Sequence, residues 1–215
     1  MSYGSNPWQQ TQWDWRAAGN FIGGGAGSGL IMVTALLGVH GAAAAVLLLT
    51  GLALIGIGLA CVWAELGRPL RAMNVFFNAR TSWMTREGFV ALLLFPAGLA
   101  AAAGVAGFIW IAALLALAFV YCQARILKAA RGIPAWREPL VVPLIVSTGL
   151  AEGAGLFLIA HPLHGQATQA LMALFGGLLM ARWLAWLAYR RRLATVAAPR
   201  ALSALDCAGG TLQTF

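Results

Sequence analysis

Glu65 and Glu87 bracket the most polar stretch of an otherwise hydrocarbon-rich sequence. Between them lie Arg68, Arg71, Arg80 and Arg86, with Trp83 close to the second carboxylate. Carboxylates take up and release protons. Guanidinium groups bind oxygen atoms or tune a nearby carboxyl by charge, and an indole offers a face for stacking. The same residues also suit an ordinary capped loop. Gly67 and Pro69 can end the preceding helix, and Ser82 or Thr85 can cap the next, with Glu87 favoured in its first turn. Caps and Glu–Arg ion pairs therefore stand beside the chemical reading of this segment.

Glu152 and Arg182 are the other residues of note, because each falls inside a long apolar run. A charge at that depth costs at least about 2.5–3.5 kcal/mol on insertion scales, so it normally has a partner or a purpose. Counting from the outer helix ends at ~1.5 Å per residue puts Glu152 roughly 14 Å deep and Arg182 roughly 22 Å deep. Side chains lean toward their own helix N-terminus, which directs Arg182 toward Glu152. An intramembrane ion pair, a proton-path or quinone-pocket role and an Arg182 that snorkels alone all fit this placement.

Other candidates carry less. His40, His161 and His164 all fall at outer helix ends, where they read as exposed loop histidines; His40 with His161 could bridge one haem, but two stacked haems would need a second, inner pair of ligands. Cys61, Cys122 and Cys207 lie far apart without a CxxC pair, so no metal or iron–sulfur site is expected in this chain. Gly19, Gly23 and Gly27, with Gly25 and Gly29 interleaved, match neither a GxGxxG fingerprint nor a P-loop. Their four-residue spacing, like that of Gly149 and Gly153, suits close helix packing in a membrane.

The elements that must position these residues follow from composition. Of 215 residues, 61% are hydrophobic and 9% charged, where a soluble domain carries about 25% charged residues. Mean hydropathy is +0.81. That balance excludes a soluble enzyme, a disordered tail and a disulfide-stapled secreted domain. Long Ala/Leu runs, without the alternation of barrel strands, predict an all-α polytopic transmembrane helix bundle. Apolar runs place about six helices, near 18–39, 42–64, 88–105, 107–127, 140–161 and 167–189. Residues 1–17 then form an N-terminal cytoplasmic segment, 18–189 the bundle and 190–215 a short C-terminal tail. The basic n-region of a cleavable signal is missing, so the first helix reads as retained.

All but one of the 14 Lys and Arg residues, Arg182 being the exception, fall at one face of such a bundle. The positive-inside rule makes that face cytoplasmic, with both termini on it. The net charge of +8 then reflects orientation rather than nucleic-acid binding. Most of the nine Trp residues lie near expected helix ends, as in an interfacial aromatic belt.

The string LGRPLRAMNVFFNARTSWMTRE, with Gly132-Ile133-Pro134-Ala135-Trp136-Arg137 downstream, resembles the dimethyl sulfoxide reductase membrane-anchor family. These proteins are the integral membrane subunits of molybdopterin oxidoreductases, and the resemblance covers about residues 60–160. It implies an inner-membrane anchor that holds an iron–sulfur subunit and a molybdopterin catalytic subunit and exchanges electrons with quinone. It also implies that the chain holds no haem or iron–sulfur cluster of its own. The chain departs from the family in having six expected helices where eight are usual. It also has Glu65 where many relatives carry a histidine linked to quinol handling.

Quinol oxidation releases two electrons and two protons, so its site needs an apolar slot, partners for two oxygens and a proton acceptor. On the resemblance, Glu65 and Glu87 are the proton carriers, Arg68 or Arg86 binds an oxygen or tunes a carboxyl, and Trp83 stacks on the ring. Menaquinone or ubiquinone would be the exchangeable substrate. Arg71, Arg80, Arg125, Lys128 and Arg131 form a basic face for the iron–sulfur subunit or for anionic lipid. A purely structural anchor and a small polytopic transporter are the competing functions.

Overall fold

The computed structural model describes residues 14–65, 75–78, 80–130, 133–160 and 166–196. Six α-helices run in order: α1 (Trp15–Leu36), α2 (Gly41–Glu65), α3 (Trp83–Ala102), α4 (Phe108–Ala129), α5 (Val141–Ala160) and α6 (Gln166–Val196). All six are long and apolar enough to cross a membrane. The chain is an all-helical, multi-pass membrane protein, as its composition predicts.

Local chemistry sets the helix ends. Asp14 caps α1 by accepting the Arg16 backbone N–H at 2.8 Å, and its other carboxylate oxygen pairs with the Arg16 guanidinium at 2.9 Å. These contacts, the backbone hydrogen bond foremost, hold its carboxyl below the usual carboxylate range. Ser82 caps α3 by accepting from Thr85, so that helix begins five residues before the expected start at 88. Its first turn, though polar, is satisfied by this cap and by neighbours from other elements. The turn between α3 and α4 holds Gly104 and Gly107 at φ +84° and +81°. That left-handed backbone costs glycine little and lets two spans fold back after a very short link. At the other end of the chain, α6 continues to Val196. The segment expected as a tail from 190 is thus helical for its first turns. Tyr189 there donates to the Ala135 carbonyl at 3.0 Å, and Arg192 lies 3.6 Å from Glu138.

α1 is the axis of the bundle and packs on α2, α4 and α5. Its glycines decide how closely. A Cβ on Gly27 would lie 2.5 Å from the Gly51 carbonyl oxygen of α2, and one on Gly29 would lie 2.3 Å from the Gly149 carbonyl oxygen of α5. The glycine spacing therefore serves helix packing, as expected. The two main cores flank this axis. One gathers Ile31, Leu48, Ile55, Leu94 and Phe119, and the other Leu30, Leu47, Phe157 and Leu171. α6 touches the bundle chiefly through α5 and leaves most of its surface outside.

Successive helices alternate in direction. Arg16 Nη1 donates to the Ala64 carbonyl at 3.3 Å, which puts the start of α1 beside the end of α2. The starts of α1, α3 and α5 thus share one end of the bundle with the ends of α2, α4 and α6. Arg16, Arg80, Arg86, Arg125, Lys128, Arg137 and Arg190–Arg192 all belong to that end. The turns at Gly38–Gly41 and Ala103–Gly107 lie at the other.

Candidate functional site

Glu87 lies in the first turns of α3 and is buried, 5% exposed. Among the described residues it does not pair with an arginine of its own loop. Its carboxyl faces two side-chain amides, those of Gln123 on α4 and Asn20 on α1. Both are buried, and Gln123 Nε2 also donates to the Asn20 backbone carbonyl at 2.9 Å. Glu87 Oε1, Asn20 Oδ1 and Gln123 Oε1 lack a hydrogen-bond partner among the described residues. Three helices therefore converge on an acid and two amides with acceptor capacity to spare. A carboxyl in that setting can bind and release a proton, and an amide pair can hold it in place through both states.

The packing of α1 makes this cluster. A Cβ on Gly24 would fall 2.2 Å from Gln123 Nε2, so only glycine leaves the amide its room. Asn20 and Gln123 were not among the residues singled out from the sequence. The available signal was an isolated amide in each of two apolar helices, a rarity inside a membrane span.

Trp83, Arg86 and Arg125 form a second group at the same end. The Arg86 and Arg125 guanidinium carbons each lie 4.2 Å from the centroid of the Trp83 indole. Tyr121 meets the indole edge-on at 5.9 Å between centroids, and its hydroxyl oxygen accepts from Arg125 Nη1 at 2.7 Å. Arg86 Nη2 also donates to the Arg80 carbonyl at 2.8 Å. The indole expected to stack on a substrate ring is engaged by two cations, and a ring arriving there must displace one. Both guanidinium groups and Glu87 lie within electrostatic range of buried Cys122, which ties the two groups into one polar end of α3 and α4.

The remaining expected residues are distributed unevenly. Glu65 ends α2, but its side chain lies outside the described residues, as do Arg68, Arg71 and Arg131 entirely. Of the expected basic docking face, Arg80 is exposed and Lys128 half-buried, whereas Arg125 turns onto aromatic rings. Val75–Phe77 folds back on α3, where Thr85 Oγ1 donates to the Val75 carbonyl and Phe76 meets Phe89 edge-on at 5.2 Å.

The Glu152–Arg182 region lies on the far side of α1. Arg182 Nε donates to Thr148 Oγ1 at 3.3 Å, one turn along α5 from Glu152. This displacement has the direction that the depth count gives, with Arg182 deeper than Glu152. Its charge still acts on the Glu152 carboxyl. Glu152 borders a groove of about 440 Å³ between α1, α2 and α5, whose lining presents no polar surface. A second groove, of about 540 Å³ between α3 and α4, is lined by Leu93, Pro96, Phe108, Leu114 and other apolar residues and offers no reactive group. Among the described residues no group of three or more His, Cys, Asp or Glu could hold a metal ion. No protein-family model matches the chain, and no curated protein matches it.

Proposed function

We propose that this protein is the membrane-anchor and quinone-interacting subunit of a molybdopterin oxidoreductase complex. In this reading it sits in the inner (cytoplasmic) membrane with both termini cytoplasmic. It exchanges electrons between the quinone pool and an iron–sulfur subunit that docks on the basic end of the bundle. The observation that carries the reading is Glu87: a buried carboxyl that faces two amides, at the end of the bundle where the described arginines gather. Quinol oxidation breaks two O–H bonds, sends two electrons to the iron–sulfur partner and releases two protons. A carboxyl that is solvated by amides can receive such a proton in an apolar setting, where an arginine-locked carboxylate could not. The likeness of LGRPLRAMNVFFNARTSWMTRE to the anchor family supports the same assignment.

The test joins composition to kinetics. The tagged full chain, extracted from its native membrane, is expected to bring down a large molybdenum-containing subunit and an iron–sulfur subunit. Glu87→Gln is expected to keep that assembly and lower quinol-coupled turnover about 10²-fold, the lower end of what a positioned acid or base contributes. Glu65→Gln and the double variant complete the series. Assembly with unaltered quinol kinetics in all three removes the proton role. Solute movement by the chain alone in liposomes would make it a transporter instead.

A further inference from the structure

α3 and α4 share an outward face that changes character along its length. On α3, Arg86 and Leu93 stand seven residues apart, close to two full turns. On α4, Leu114, Tyr121 and Arg125 follow at steps of seven and four, which also keep to one side of a helix. Leu93, Leu114 and Tyr121 are exposed, so this side looks away from the bundle. At the basic end the two helices meet through rings. Trp83 of α3 packs edge-on against Tyr121 of α4, and Arg86 and Arg125 both stack on the Trp83 indole. Each guanidinium carbon is 4.2 Å from the ring centroid, so the two are no further apart than twice that distance. Cations held so close repel each other and together attract an anion. Glu87, the acid at this end of α3, faces the amides of Gln123 and Asn20 inside the bundle. Further along, the same two helices border the apolar groove of about 540 Å³, with Leu93 and Leu115 at its near rim.

We infer that this face of α3 and α4 is a binding site for an anionic phospholipid, its phosphate on Arg86 and Arg125 and an acyl chain running along the helices to the groove. Trp83 and Tyr121 then sit at headgroup level, where such rings favour the membrane interface. At ~1.5 Å per residue, Leu93 lies about 10 Å from Arg86, and Leu115 about 15 Å from Arg125. The chains of one leaflet cover about 15 Å, half the hydrocarbon thickness. A lipid whose phosphate rests on the arginines therefore brings its chain ends to the rim of the groove. Charge and groove together select the occupant. A free phosphate has nothing to place in the groove, and an uncharged lipid gains nothing from the guanidinium pair. A zwitterionic headgroup carries an ammonium toward exposed Arg80 and half-buried Lys128, which add positive charge at this end. The site stands on these contacts alone and does not depend on the quinone reading.

The experiment reconstitutes the full chain in phosphatidylcholine vesicles with a trace of phosphatidylglycerol that carries a diazirine at one acyl-chain end. After irradiation, peptide mapping is expected to find label on 93–97 of α3 and 111–115 of α4, and excess unlabelled phosphatidylglycerol should compete it away. Phosphatidylcholine with the same diazirine should label these peptides at least about tenfold less. Arg86→Gln and Arg125→Gln should each lower the competed label about fivefold, the worth of one basic residue against anionic lipid. Arg191→Gln, an exposed charge on α6, should leave it unchanged. Should one of the α3 and α4 variants fail to insert, the other decides. Equal labelling by the two lipids overturns the inference, since the groove then holds passing bilayer lipid. Competed label that neither arginine variant lowers, or that Arg191→Gln lowers as much, overturns the headgroup site.

Discussion

Replacing Gly153 by alanine adds one methyl group where α5 crosses α1. Its Cβ would lie 2.1 Å from the Gly29 carbonyl carbon and 2.2 Å from the Leu30 nitrogen, both backbone atoms. Ordinary contact begins at 3.4 Å, so the two helices must part by more than an ångström. A gap of 0.5–1 Å already forfeits roughly a quarter to a half of each affected dispersion contact. Overpacking of this kind costs about 1–3 kcal/mol, and the upper end applies because no side chain can rotate out of the way. Gly155→Ala is the control, two residues along the same helix. Its Cβ meets only the Phe175 ring at 3.7 Å, an ordinary contact. Both substitutions gain the same helix propensity, about 1 kcal/mol, so the difference between them reports packing alone. Unfolding in mixed micelles, followed by tryptophan fluorescence, should place Gly153→Ala about 3 kcal/mol below Gly155→Ala. Equal stability of the two variants would refute the claim that backbone contact between α1 and α5 sets the bundle.

Gly24→Ala should behave differently, because its Cβ would strike the Gln123 amide and not backbone. The amide can swing aside, so stability in the same assay should change little while quinol-coupled turnover falls toward that of Glu87→Gln. Tyr189→Phe removes the bond to the Ala135 carbonyl and should destabilise the α6 end by about 0.5–1.5 kcal/mol, read from the same unfolding curves. Asp14 has a carboxyl held below its unfolded value, so its contribution is present above about pH 4 and lost as pH falls through the folded-state value. Asp14→Ala should therefore lower the unfolding midpoint at pH 7, and the gap from wild type should close under strongly acid conditions.

The span pattern could be read from residues 14–196 without coordinates because each crossing must satisfy its backbone internally and face hydrocarbon. Gly104 and Gly107 marked the sharpest turn, and Ser82 or Thr85 the cap of α3, since both signals act over a few residues. The early start of α3 and the late end of α6 were harder to see. Their polar terminal turns are satisfied by tertiary partners such as Ala135 and Glu138, which a hydropathy reading does not include. The glycine intervals announced close packing without saying which helix each glycine meets.

Charge and hydropathy along the chain determined six membrane-crossing helices among the described residues, with the described basic residues other than Arg182 at one end. Those properties depend on the residue and its near neighbours, against a bilayer of fixed thickness. Only the tertiary structure decided that Glu87 faces Asn20 and Gln123, that Trp83 is engaged by Arg86 and Arg125, and that Arg182 meets Thr148 one turn from Glu152. Each of those facts joins helices far apart in sequence, and their relative rotation is fixed by where bare glycine lets backbones touch.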